Sequence, residues 1–105
     1  MGRIVIACYK PKPGKEVELD QLMETHVDRL RAEGLVTGRE SIIMKSKSGT
    51  VVEVFEWKSE EAIEQAHSNP TVQKMWEEYA AVCDYEIPTN IEEFNTMFSE
   101  FEPMN

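Results

Sequence analysis

Residues 50–76 read TVVEVFEWKSEEAIEQAHSNPTVQKMW, and two changes of period inside this stretch decide the fold. Thr50 to Lys58 is rich in β-branched and aromatic residues with a period of two, which predicts a strand. Val52 and Val54 share one face of it; Val51, Phe55 and Trp57 share the other, with Glu53 interrupting them. Both faces therefore carry apolar side chains, and both are expected to be covered. Ser59 then caps a short helix, with Glu60 and Glu61 in the first turn where the helix dipole favours acids. Ala62, Ile63, Ala66 and His67 form its inner stripe. At Asn69-Pro70 the helix restarts, with Asn as cap and Pro at the first helical position. Val72, Met75, Trp76, Tyr79 and Cys83 recur at the helical period with Val82 beside them, and this helix is expected to end before Pro88.

Towards the N-terminus, Ser48-Gly49 predicts a tight two-residue hairpin between the Thr50–Lys58 strand and a preceding strand over Gly38 to Lys47. Before that, Lys15 to Glu33 places Leu19, Leu22, Met23, His26 and Leu30 at helical spacing, and Gly34 follows as a left-handed terminator. Arg3 to Tyr9 is a nearly continuous apolar run stopped by Lys10-Pro11-Lys12-Pro13-Gly14, a strand with both faces covered. Towards the C-terminus, Asn90 to Asn95 predicts one helical turn, and Thr96 to Glu102 a last strand ahead of Pro103.

The predicted order is β-α-β-β-α-β in one domain over residues 1–105. This is an α+β, ferredoxin-like plan: a four-stranded antiparallel sheet with its helices on one face. Helices cover one face only, yet the first and third strands are apolar on both. A second copy of the same sheet is the simplest cover, so a homodimer through the sheet face and the C-terminal strand is expected.

The chain of 105 residues is 41% apolar and 30% charged, an ordinary globular mixture. Residues 1–58 hold ten Lys/Arg against nine Asp/Glu, whereas residues 59–105 hold Lys74 alone against eleven acids. An acidic half repels phosphate backbones, so no nucleic acid is expected as partner. No apolar run approaches the roughly 20 residues of a membrane helix, and the first residues do not read as a signal peptide; a cytoplasmic location is the expectation. Cys8 and Cys83 lie far apart with no metal-ligand spacing, which predicts buried free thiols and no metal site.

The stretch Phe55 to Trp76 resembles the dimeric α/β-barrel proteins, and within them the antibiotic biosynthesis monooxygenase (ABM-domain) group. The shared pattern is Trp57 at a strand end, a Ser-Glu-Glu-Ala helix start, His67, and Pro70 three residues on. The final FSEFEP is similar to the strand that such proteins often lay against a partner subunit. The resemblance implies a dimeric barrel. It further implies a cofactor-independent monooxygenase acting on a small aromatic or polycyclic substrate, in a pocket between sheet and helices. Haem-degrading members carry an Asn on the first strand, a Trp closing the third and a haem-ligating His on the next helix. Trp57 and His67 match the last two; the first strand reads Ile6-Ala7-Cys8-Tyr9 and has no such Asn. No cofactor is therefore expected, with haem as the lesser alternative. A non-enzymatic dimeric module binding a small ligand is the other reading.

His67 is the first catalytic candidate, since an imidazole can take a proton from a phenolic substrate or ligate iron. The plainer role for it is fixing the helix end by bonding backbone. His26, on the inner stripe of the first helix, is the second candidate base, or else a buried structural histidine. Trp57, Trp76, Phe55 and Tyr79 are candidates for lining a pocket for a flat aromatic ligand, although Trp76 and Tyr79 share a core stripe with Val72 and Met75. Tyr9, at the end of the first strand, is placed to hydrogen-bond a ligand carbonyl.

Overall fold

The computed structural model describes residues 2–105. β1 (Arg3–Pro11) is the predicted first strand, and Gly14 turns the chain out of it at φ 78°. The helix expected over Lys15–Glu33 is broken in two, α1 (Glu16–Met23) and α2 (His26–Ala32). At the break, the Glu24 and Thr25 amides fall back on Gln21 and Leu22 carbonyls three residues earlier. That tightens the last turn and ends the regular helix. His26 thereby becomes the first residue of α2, and it is buried. α2 stops at Gly34 (φ 72°), where the Leu35 amide reaches back to the Leu30 carbonyl at 3.2 Å, the expected left-handed closure.

β2 is shorter than expected (Ile42–Lys45) and pairs with β3 (Val51–Trp57). Their turn is one residue longer than the predicted two-residue loop. The Ser46 amide bonds to the Thr50 carbonyl, and Gly49 supplies the φ of 93° that closes Lys47-Ser48-Gly49. α3 (Glu60–Ser68) is capped by Ser59 Oγ on the Ala62 amide at 3.1 Å. Asn69 Oδ1 accepts from Thr71 and Val72 amides at the start of α4 (Pro70–Val82), as the sequence predicts.

Two expectations fail near the C-terminus. α4 ends at Val82, before Pro88 as expected, but Cys83, expected on its stripe, has left it: Cys83–Glu86 forms β4 along β1, with Cys8 opposite Glu86 and Pro11 opposite Cys83. The Thr96–Glu102 strand does not form. Two 3-10 turns (Pro88–Asn90 and Glu92–Asn95) and an irregular stretch lead instead to β5 (Glu102–Pro103) on the edge of β2. The sheet consequently has five strands rather than four, antiparallel throughout, in the order β4-β1-β3-β2-β5.

One sheet face buries Tyr9, Val51, Phe55 and Trp57 against Leu19, Met23, Leu30, Val72, Met75 and Tyr79 of the helices. Each fully buried leucine or valine there contributes about 2 kcal/mol of transfer free energy. The opposite face is covered only in part. Cys8 and Val52 lie under Ile91, with Phe94 and Phe101 packed alongside. The next cross-strand row, Ile6–Val54–Ile42, is not closed over: Ile6 is 47% and Ile42 56% exposed. Both cysteines are free and buried.

Candidate functional site

Alternation along β1 and β3 points Val5, Ala7 and Tyr9, and Val51, Glu53, Phe55 and Trp57, towards the helices. Six apolar or aromatic positions and one carboxylate thus share a face. Glu53 is wholly buried (0% exposed), and its Oε1 gathers two polar neighbours. The Tyr9 hydroxyl donates to it at 3.0 Å, and His26 Nδ1 lies 2.7 Å away. A carboxylate oxygen only accepts, so Nδ1–H is the donor, and Nε2 is the ring nitrogen without a hydrogen-bond partner among the described residues. Among the described residues, Glu53 Oε2 is the one fully buried side-chain oxygen or nitrogen without a hydrogen-bond partner. His26 is 4% exposed, and its ring lines a cavity on this face.

The cavity holds about 360 Å³. Val5, Ala7 and Tyr9 of β1 and Phe55 and Trp57 of β3 form its floor, and His26, Trp76 and Tyr85 close it from α2, α4 and β4. Its size falls within the range of small-molecule sites, and its walls are mostly aromatic. The His26 ring stands perpendicular to Phe55 with centroids 5.5 Å apart, and Phe55 leans on Trp57 at 5.4 Å. Burial, then the charge of Glu53 and the hydrogen bond to it, hold the Tyr9 phenol well above its ordinary range. Tyr9 therefore remains a donor to Glu53 at any physiological pH.

No protein family, curated protein or solved structure matches the chain.

Of the residues expected at a site, His26, Tyr9, Phe55, Trp57 and Trp76 all line this one cavity. Tyr79 does not. It is fully buried behind Tyr9 and His26, and its hydroxyl donates to the Leu22 carbonyl at 2.9 Å. His67 is not brought to the cavity either. It is exposed on α3, with Nδ1 2.8 Å from the Ile63 carbonyl of its own helix, and it touches the site only indirectly, through the edge of Trp76 at 5.2 Å. Trp57 and His67 therefore do not face each other across one pocket. Two contributors went unrecognised in the sequence, Glu53 and Tyr85. For Glu53 the signal was present: an acid at an inward position of a strand otherwise apolar on that face is rarely accidental. For Tyr85 there was none, because its place depends on β4 leaving the helix. Among the described residues no three His, Cys, Asp or Glu side chains gather as a metal site would need, and no helix is long and apolar enough to cross a membrane.

Proposed function

We propose that the chain is a cofactor-independent monooxygenase of small hydroxylated or anthrone-like aromatics, with His26 as its base. The observation that carries this reading is His26, anchored through Nδ1 on buried Glu53 and lining an aromatic-walled cavity. Nε2 takes a proton from the substrate's acidic C–H or O–H. The resulting carbanion or phenolate gives one electron to O2, and the radical pair recombines as a peroxide on the ring carbon. Proton return from His26 and loss of water leave a carbonyl, so that CH2 plus O2 becomes C=O plus H2O. Glu53 stabilises the transient imidazolium, as the carboxylate of a hydrolase triad does, and the apolar walls keep water from the carbanion.

Affinity to the ABM group and a ferredoxin-like dimeric barrel belong to the same proposal. They are supported by the β4-β1-β3-β2 order, with helical segments following β1 and β3. The partner is a second copy laid on the Ile6–Val54–Ile42 row, where the chain's own C-terminal segment stops covering the sheet. The haem reading has less behind it, since His67 stands outside the cavity.

The test is oxygen uptake with a panel of naphthols and anthrones, without added flavin or metal. The expected result is turnover that His26→Gln lowers by at least ~100-fold and His67→Ala leaves unchanged. A panel without turnover above buffer overturns the oxygenase. Thermal stabilisation by the same compounds would then favour the ligand-binding module, for which one feature speaks: Tyr9 and Nδ1 are already satisfied by Glu53, leaving aromatic surface to hold the ligand.

A further inference from the structure

We infer that the cavity excludes anionic aromatics and that Glu53 is the residue that enforces this, an inference that rests on the reading of the cavity as an aromatic-substrate site. Three observations carry it. First, among the described residues neither Lys nor Arg lines the cavity. Of the cations on flanking elements, Arg3 is paired with Glu60 at 2.8 Å and Arg29 with Glu78 at 2.9 Å. Second, the charge beneath the floor is negative and only half satisfied. Glu53 is 0% exposed, with two donors on Oε1 and none on Oε2. Third, His26 Nδ1 is committed to Glu53 at 2.7 Å. As the base of the proposed reaction, its Nε2 accepts from a ligand hydroxyl, whereas a ligand carboxylate meets it as a second acceptor.

An anion entering the cavity therefore gives up hydration without meeting a lysine or arginine in return, and it approaches a buried carboxylate. A hydroxyarene loses little hydration and gains one hydrogen bond together with the ring contacts of Phe55, Trp57 and Trp76. Substrates tagged with carboxylate, phosphate or a phosphate-bearing carrier are excluded. The ring system free of such acidic tags is what the site takes.

The experiment is anaerobic calorimetry of the intact protein with 2-naphthol, 6-hydroxy-2-naphthoate and the methyl ester of that acid. 2-Naphthol and the ester should bind alike, and the carboxylate weaker by at least about 30-fold. In Glu53→Gln, which keeps the size and an acceptor for Nδ1–H, the penalty on the carboxylate should shrink at least about tenfold. Carboxylate binding within about threefold of the ester overturns the inference. An ester as weak as the acid also overturns it, because the exclusion would then be steric, and the wild-type protein alone decides both. A penalty unchanged in a folded Glu53→Gln variant removes Glu53 as its cause. None of these readings needs turnover, so a failed oxygenase leaves them intact. A cavity that binds none of the three compounds sinks the site reading itself.

Discussion

Glu53 carries two hydrogen bonds on one oxygen and none on the other, in a position no water reaches. Burying a carboxylate this way is costly unless each neighbour is in place. Removing either partner strands the other, so His26→Gln and Glu53→Gln should be strongly non-additive. A double-mutant cycle by urea unfolding is expected to give a coupling of about 1–3 kcal/mol; additive effects would mean that the 2.7 Å contact carries no energy. Tyr9 and Tyr79 supply a pH prediction. Burial raises both phenols above their ordinary value of 10.0, Glu53 adding to each. The folded state therefore binds these protons more tightly than the unfolded chain. Stability is undiminished below about pH 10 and falls as pH rises beyond it. Burial pushes Tyr85 up to about 12 as well, so near-ultraviolet phenolate absorbance should show all three tyrosines silent near pH 10 in the native protein and titrating there in urea. The aromatic members of the site were legible in the sequence as apolar positions of the right parity. The base was harder to choose. His67 sits in the quoted pattern and His26 in an ordinary stripe, and only the approach of α2 to β3 shows which ring meets a carboxylate.

Among the elements, those with a local cause came out as the sequence predicted. Ser59 and Asn69 cap their helices through their own side chains, and Gly34 ends α2 with a positive φ. Asn69→Ala should cost about 1 kcal/mol in chemical denaturation, since Oδ1 serves two amides that have no helical partner. Elements settled by distant pairing were not legible. Cys83–Glu86 continues the helical stripe of Tyr79, but the free edge of β1 offers it a ladder, and the Lys12 amide already holds the Val82 carbonyl at 2.8 Å. Thr96–Glu102 alternates as a strand would, yet Thr96 spends its hydroxyl on the Glu93 and Phe98 carbonyls and the chain curls. Alternation predicts a strand only where an edge stands ready to receive it.

At the scale of the whole molecule, the sheet has a closed face and a half-open one. The sequence announced this through Ile4, Ile6 and Cys8 alternating with Val5, Ala7 and Tyr9, but not that Ile91, Phe94 and Phe101 would fold back over part of it. Ile6→Lys tests the proposed dimer, because it places a charge in the middle of the uncovered row. Light scattering should find a dimer for the wild-type chain and a folded monomer for the variant. A wild-type chain that is monomeric at micromolar concentration overturns the proposal. The last residues matter in another way. The Met104 amide bonds to the Ile43 carbonyl, while the Asn105 side chain takes the Ile43 amide and gives to the Ser41 carbonyl. An amide side chain thus stands in for a missing peptide group along β2, and Pro103 has no N–H to offer a further strand. The sheet is blunted against growth along that edge, which is therefore a poor nucleus for fibrils.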